Sequence, residues 1–450
     1  MRIAIIGAGY VGLVSGACLA EYGHEVTCVD KDQRKIAALG RGEMPIYEPG
    51  LSEIVTGNVA LGRLRFTAKL SEGVKGAEAI FIAVGTPSRR GDGLADLSFV
   101  YQAARDIAEN ISRFVVVITK STVPVGTADE IERIIRDRQP KLDFAVVSNP
   151  EFLREGVAIT DFVNPDRIII GSNDERATKV MTEIYSVLPD CRAPIIVTSP
   201  RSAELTKYAA NAFLATKLAF INEIADLCEH VGANVQDIAT GIGLDNRIGA
   251  KFLNAGPGYG GSCLPKDTMA LMQIAQSHQA PMRIVEAVTF VNEQRKRAMG
   301  RKVIAACGGM VRNKPIGILG LTFKPDTDDM REAPSIAIIQ TLQDAGARVR
   351  AFDPVGENQA KLVLNDVSYA QDIYECALGA HALVIVTEWD CFRALDFERL
   401  RAVMQRPVIV DLRNIYTAAD VERHGFTYVS VGRGEETFEL PDRAADNRAA

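Results

Sequence analysis

A cysteine set among glycines is the clearest place in this chain where residue type and spacing point to chemistry: Gly256-Pro-Gly-Tyr-Gly-Gly-Ser-Cys-Leu-Pro-Lys-Asp-Thr268. Four glycines between Gly256 and Gly261 allow positive φ and let a ligand approach the main chain closely. Pro265 suits the first turn of a helix, where its missing N–H costs nothing. Met269, Leu271, Met272, Ile274 and Ala275 then continue in a helical pattern. Cys263 therefore falls at the mouth of a helix, where orphan N–H groups and the helix dipole favour an anion. A thiol there is expected to ionise below its free value of about 8.5. Lys266 adds positive charge, and Asp267, four residues after Cys263, shares its side of a helical turn. A cysteine taken alone reads as a small buried apolar residue. Its neighbours here argue for a nucleophile.

The second chemical signal opens the chain. The apolar run Arg2 to Ile6 leads into Gly7-Ala-Gly-Tyr-Val-Gly12, a helical stretch follows from Leu13 to Tyr22, and a second strand, Glu25 to Val29, ends in Asp30. This is the dinucleotide fingerprint in its required setting: Gly7, Gly9 and Gly12 for the tight turn and phosphate approach, and an acid 18 residues after the last glycine for the ribose hydroxyls. Asp30 repels a 2′-phosphate and so favours NAD over NADP, with Lys31, Arg34 and Lys35 nearby as a counterweight. Further candidates stand just after later strands, where open α/β sheets bind ligands. They are Gly85-Thr-Pro87, Lys120-Ser-Thr-Val-Pro124 and Asn149-Pro-Glu-Phe-Leu-Arg-Glu155. Capping is the competing reading for Thr122, Glu151 and Glu155. Lys207 and Asn211, four apart on one helix face among apolar neighbours, form an inward-facing pair.

Strands are expected at Ala79–Val84, Phe114–Thr119, Phe144–Ser148 and Arg167–Ile170, alternating with helices in a parallel doubly wound sheet. A long helix from Ser202 to about Val231 and another from Met282 to Cys307 interrupt the alternation. The first carries a broad apolar surface (Phe213, Leu214, Leu218, Phe220, Ile221, Ile224), which suggests a dimer contact. Strands return at Ile316–Leu319, Arg348–Phe352, Ala382–Thr387, Val408–Asp411 and Phe426–Val431, with Lys324 and Arg331 after the first of them, placed to meet phosphates. The fold class is thus α/β: two Rossmann-like doubly wound sheet domains (1–200 and 309–432) joined by a central helical domain (201–308), with a flexible tail at 433–450. The 450 residues are 47% hydrophobic with a net charge of −6 and mixed signs, which argues against nucleic-acid and membrane-surface binding. No apolar run of about 18 residues is present, and no signal peptide is expected because the first residues already read as a strand. Eight cysteines without a C-x-x-C pair suggest neither a disulfide framework nor a metal site, and a reducing cytoplasm is the expected location.

Together these segments resemble the UDP-glucose/GDP-mannose dehydrogenase family. The resemblance rests on Gly7-Ala-Gly-Tyr-Val-Gly12, Lys120-Ser-Thr-Val-Pro124, Ser148-Asn-Pro-Glu-Phe-Leu-Arg-Glu155, Glu204-Leu-Thr-Lys-Tyr-Ala-Ala-Asn211 and Gly258-Tyr-Gly-Gly-Ser-Cys-Leu-Pro-Lys-Asp267, in family order and spacing. It implies four-electron oxidation of a nucleotide-sugar alcohol, with two NAD⁺ used in succession. Cys263 would form the thiohemiacetal and thioester, Glu151 would position or deprotonate the hydrolytic water, and Thr122 would orient that water or the cofactor. Lys207 would stabilise the oxyanions with Asn211 and an Asp267-held water; whether Asp267 or its water takes the first proton stays open. With the fingerprint residues Gly7, Gly9, Tyr10, Val11, Gly12 and Asp30, the resemblance puts Lys35, Thr86, Thr122, Glu155, Lys266 and Arg331 at the cofactor. It puts Glu151, Phe152, Leu153, Arg154, Glu155, Lys207, Asn211, Phe252, Leu253, Asn254, Gly256, Gly260 and Lys324 at the nucleotide sugar. Arg247 matches an arginine that reaches a partner subunit's site, so a homodimer with active sites near the central-domain interface is expected. UDP-glucose is the expected substrate, and Tyr259 beside Gly260 and Gly261 is the hint for it. GDP-mannose, a two-electron hydroxyacid oxidation with an idle cysteine, and NAD sensing without catalysis are the competing readings.

Overall fold

The computed structural model describes residues 1–87, 89, 95–188 and 193–434; the expected tail from 435 onward lies outside them. The chain divides into two compact units, Met1–Ala212 with Lys266–Met282, and Phe213–Pro265 with the chain from Arg283 onward.

In the first unit eight strands form one sheet. They are β1 (Arg2–Ile6), β2 (Glu25–Val29), β3 (Leu64–Thr67), β4 (Ala79–Ile82), β5 (Val115–Thr119), β6 (Phe144–Ser148), β7 (Ile168–Gly171) and β8 (Ile195–Thr198), in the order β3-β2-β1-β4-β5-β6-β7-β8. The central strands are continuous apolar runs because helices cover both faces. Alternation divides them: Ile3, Ile5, Phe81, Val116 and Ile118 belong to one core, and Ala4, Ile6, Ile80, Ile82 and Val117 to the other. One expectation is corrected. The sheet is not parallel throughout, since β6 meets β7 antiparallel at Ser148 and Gly171. The connection between them holds only the short helix Ala158–Val163, and the chain re-enters the sheet from the edge at which β6 ended. Strands β3 and β8 were not anticipated, because neither is buried along its length and so neither forms a solid apolar run.

The second unit repeats the plan. Its strands β9 (Pro315–Leu319), β10 (Arg348–Phe352), β11 (Val367–Tyr369), β12 (Ala382–Ile385), β13 (Val408–Asp411) and β14 (Thr427–Ser430) pair in parallel in the order β11-β10-β9-β12-β13-β14. The three-residue β11 escaped the sequence reading. The helix Arg283–Ala306 packs Met299 and Val303 into the core that contains Ile318, Val384 and Val410. The long helix runs from Pro200 to Val231, its residues up to Ala212 in the first unit and the remainder in the second. The chain is still tied down two residues into the expected tail, where Arg433 bridges to Asn234 and the Gly434 N–H bonds to the Ala233 carbonyl. Among the described residues no helix is long and apolar enough to cross a membrane, and no group of three or more His, Cys, Asp or Glu could hold a metal.

Candidate active site

At the carboxyl edge of β1 the backbone itself builds a cradle. Gly7 takes φ +103°, and a Cβ there would lie 2.5 Å from the Ala83 carbonyl oxygen; a Cβ on Gly12 would lie 1.9 Å from that of Gly7. Only glycine lets the helix Tyr10–Glu21 start this close to the strand. Gly9 is its N-cap, supplies no side-chain cap, and has no protein atom within 4 Å of where a Cβ would stand. The helix thus begins with bare N–H groups beside open space, the arrangement that receives a phosphate. At the end of β2, Asp30 accepts from Ala8 N–H at 2.9 Å, Asp32 N–H at 3.0 Å and Lys35 Nζ at 2.8 Å. Burial pushes this carboxyl up, but Lys35 and the two N–H groups outweigh it and hold it below the usual value. Lys35, not Arg34, makes that contact, because the Asp32 cap on the next helix turns Lys35 toward the strand end. Val11 is half-buried, and the Tyr10 hydroxyl meets Glu48, which also accepts from Gly156 N–H at 2.6 Å and Ala158 N–H at 2.8 Å.

The ends of β5 and β6 carry the polar residues expected there. Thr86 donates to the Thr122 carbonyl at 3.0 Å. Lys120 and Tyr185 both donate to Asn149 Oδ1, at 3.0 and 2.6 Å, bracing the two strand ends. Glu151 lies 3.1 Å from Lys207 Nζ with both buried, and its second oxygen accepts from Leu153 N–H at 2.6 Å. The Lys207 ammonium also stands 5.3 Å from the Phe152 ring centroid. One turn further along the helix, Asn211 donates to Asp267 at 2.6 Å, and Lys266 pairs with Asp267 at 2.9 Å. Asp267 is only 1% exposed, so this carboxylate depends on the two donors for its solvation. Glu155 is half-buried, while Arg154 points to Asp161 at 2.6 Å. Glu204, which the sequence reading left without a role, accepts from Gly126 N–H at 2.7 Å, Ala128 N–H at 2.9 Å and Ser148 Oγ at 3.0 Å. It anchors the helix that carries Lys207 and Asn211 to the sheet edge.

The second unit holds the cysteine loop. Cys263 is half-buried, its Sγ 3.5 Å from Ser262 Oγ, and it immediately precedes the helix Leu264–Ser277. Gly261 N–H donates to the Arg331 carbonyl at 2.8 Å, and a Cβ on Gly260 would lie 2.2 Å from the Glu332 carbonyl oxygen. The loop is therefore docked on the segment after β9 that contains Lys324 and Arg331. Lys324 lies 5.7 Å from the Phe323 ring centroid, and Arg331 pairs with Asp329 at 2.7 Å. Phe252 adopts φ 65° and Asn254 is exposed, whereas the Leu253 side chain is part of the core, leaving only its backbone for a ligand. Arg247 is 89% exposed and bonded to Asp245 two residues away. Arg413 was missed. It follows β13, donates to the Val386 and Phe323 carbonyls at 2.8 and 3.2 Å, and would lie 3.1 Å from a Cβ on Gly256. Reading the residues just after β13, as was done for β5 and β6, would have found it.

Two Rossmann-type sheets, one with a bare glycine cradle and an acid after its second strand, and a cysteine at a helix mouth define a dinucleotide-binding enzyme class. The comparisons with known proteins narrow it. The UDP-glucose/GDP-mannose dehydrogenase family matches in three parts: its NAD binding domain over residues 1–189, its central domain over 201–294 and its UDP binding domain over 317–418. UDP-glucose 6-dehydrogenase of Rhizobium meliloti is 62% identical over 96% of this chain and 100% of its own length. UDP-glucose 6-dehydrogenase TuaD of Bacillus subtilis is 45% identical over 96% and 93%. Among solved structures, a UDP-glucose dehydrogenase from Pyrobaculum islandicum superposes with a TM-score of 0.88 at 38% identity, covering 96% of this chain and 97% of that one. A GDP-mannose dehydrogenase from Pseudomonas aeruginosa reaches a TM-score of 0.54 at 30% identity over 96% and 99%. The chain belongs to the UDP-glucose/GDP-mannose dehydrogenase family. It is an NAD-dependent oxidoreductase, and the cradle at Gly7, Gly9 and Gly12 with Asp30 fits that cofactor.

Proposed function

We propose that the chain oxidises C6 of UDP-glucose to the carboxylate of UDP-glucuronate by way of a thioester on Cys263. The substrate assignment is supported by the 62% identical relative, matched over its full length. The observation that carries the chemistry is the buried Lys207 ammonium, 3.1 Å from the buried Glu151 carboxylate. A buried lysine amine in such surroundings suits an oxyanion, and a carboxylate beside it suits a proton from water. When bound, NAD⁺ accepts a hydride at each of the two oxidations, so two are used per sugar.

Every other step falls to the chain's own groups. Asp267, or a water it holds, takes the proton of the C6 hydroxyl as the alcohol becomes an aldehyde. The Cys263 sulfur adds to the aldehyde carbon, and the oxyanion formed is stabilised by Lys207 with Asn211. Loss of the remaining C6 hydrogen and the hydroxyl proton converts the thiohemiacetal into a thioester. Water, positioned by Glu151 and Thr122, adds to the thioester carbonyl; the carbon–sulfur bond breaks and the thiol is regenerated. In this reading Gly7, Gly9, Tyr10, Val11, Gly12, Asp30, Lys35, Thr86, Glu155, Lys266 and Arg331 serve the cofactor. The segments Phe152–Arg154 and Phe252–Gly256, with Gly260 and Lys324, serve the sugar nucleotide. The division into domains at 1–200, 201–308 and 309–432 belongs to the same reading and is supported by the three family matches.

A homodimer is also part of the proposal, with Arg247 reaching the partner. Phe213, Phe220 and Leu227 recur every seven residues along the long helix, each at least half exposed, an apolar stripe that suits self-association. Light scattering should give twice the chain mass. We place the reaction in the cytoplasm. The deciding experiment is NADH stoichiometry with purified chain: two NADH per UDP-glucose and no free aldehyde are expected, and one equivalent with released aldehyde would reject the thioester route. Turnover of GDP-mannose in preference to UDP-glucose would reject the substrate.

A further inference from the structure

The loop that presents Cys263 has no place in a helix or strand, so its backbone groups need other partners. The second unit supplies them from buried side chains. Asn292, 3% exposed on the helix Arg283–Ala306, accepts from Tyr259 N–H at 2.8 Å and donates to the Tyr259 carbonyl at 3.0 Å. Both bonds go to a single residue, the pattern an antiparallel strand would offer. Arg295, one turn on and 4% exposed, donates to the Gly256 carbonyl at 2.6 Å and to the Asn222 carbonyl at 3.0 Å, and pairs with Asp226 at 2.7 Å. Asn222 closes the frame by accepting from Gly256 N–H at 2.9 Å. Gly258 is held as closely: a Cβ there would stand 3.0 Å from Asn292 Oδ1.

We infer that Asn292 is a positioning residue for Cys263, its side-chain amide standing in for a missing strand and setting where the loop delivers the sulfur. This rests on the proposed reading of Cys263 as nucleophile. The amide is committed to Tyr259 through both of its ends, so it acts through the loop backbone. From Tyr259 the chain runs through Gly260 and Gly261, each seated against the segment after β9, and reaches Cys263 two residues later. Little slack separates the clamp from the thiol, and a small displacement of a reacting group costs about 10²-fold in rate.

The test uses the full chain with Asn292→Leu, which removes both bonds at similar volume, and Asn292→Asp, which keeps the acceptor for the Tyr259 N–H. Three readouts are taken: kcat and KM for UDP-glucose, NAD affinity, and the rate of Cys263 alkylation by iodoacetamide followed on its own peptide by mass spectrometry. For Asn292→Leu we expect kcat to fall about 10²-fold with KM changed less than about threefold, an altered alkylation rate and unaltered NAD affinity. Asn292→Asp should lie between Asn292→Leu and the natural chain. Natural kcat and alkylation in Asn292→Leu would overturn the inference. If that variant unfolds, the same result in Asn292→Asp overturns it. Cys263→Ser turning over at full rate would instead sink the nucleophile reading itself, whereas an inactive Cys263→Ser beside unchanged Asn292 variants would overturn the positioning role alone.

Discussion

The two sheets run β3-β2-β1-β4-β5-β6 and β11-β10-β9-β12-β13-β14 over matching positions, and both follow their first strand with a glycine at positive φ that packs on the neighbouring strand's end. Gly7 is pressed against Ala83 and Gly320 against Thr387. Both also end their second strand in an acid, yet the two acids have different fates. Asp30 accepts from two N–H groups and Lys35 and remains 15% exposed. Asp353 accepts from Leu321, Thr322, Val355 and Gly356 N–H groups, the Thr322 hydroxyl and Trp389 Nε1. One carboxylate retains the acceptor capacity that its proposed cofactor role needs, while the other closes its own turn. On the proposed reading of Asp30, an acid after the second strand serves a ribose only where the surrounding chain leaves it unsaturated. The glycine pattern agrees: after Gly7 a helix starts within three residues, whereas after Gly320 none starts before Pro334.

That contrast can be broken in three ways. Asp353→Ala should cost the most, about 4 kcal/mol of stability, because several buried donors lose their acceptor together. Urea unfolding would show it, with NAD affinity of the folded fraction unchanged; an unmoved midpoint would erase the contrast. Asp30→Asn should do the reverse, weakening NAD about ten- to hundredfold, as expected for charged hydrogen bonds of about 1.5–3 kcal/mol, with a small change in unfolding. Titration calorimetry checks this. Gly9→Ala should weaken NAD about tenfold, roughly 1.4 kcal/mol. The added methyl meets no protein atom within 4 Å, so an unchanged melting temperature with reduced affinity would locate the phosphates at that point.

The smallest effect concerns Glu204. Burial pushes its carboxyl up, and the N–H groups of Gly126 and Ala128 with the Ser148 hydroxyl offset this only in part. The folded chain then binds this proton more tightly than the unfolded chain. The group's contribution to stability is greatest below the ordinary glutamate value and declines as pH rises through the raised one. Glu204→Gln should flatten that part of the stability–pH curve, by less than about 1.4 kcal/mol per pH unit. A curve unchanged in slope would show that the anchor of the Lys207 helix does not titrate there.

The two compact units differ in a second respect. The first holds the glycine cradle, Asp30 and the polar cluster Lys207, Glu151, Asn211 and Asp267; the second holds Cys263 on a loop fastened to the segment bearing Lys324 and Arg331. The glycine cradle and the proposed proton-handling groups thus belong to one unit, and the proposed nucleophile to the other. Asn292→Leu and Asp30→Asn should accordingly damage turnover through different observables, thiol reactivity in one case and cofactor affinity in the other.

Much of this was legible along the chain. Apolar runs identified β1, β2, β5, β6 and β9 because buried parallel strands need apolar residues on both faces. The fingerprint with Asp30, the shared helix face of Lys207 and Asn211, and the helix start after Cys263 are local patterns set by backbone geometry and a fixed period. Other features were decided only in three dimensions. The apolar run of β7 does not tell its antiparallel direction, and the short β11 leaves no apolar run to read. Tyr10 and Glu48, 38 residues apart, and Asn292 and Tyr259, 33 apart, are joined because a buried polar group must find whatever partner the fold brings near. For the same reason the difference between Asp30 and Asp353 was invisible in sequence. Each is an aspartate after a strand, and only the packed turn around it determines how many donors reach its oxygens.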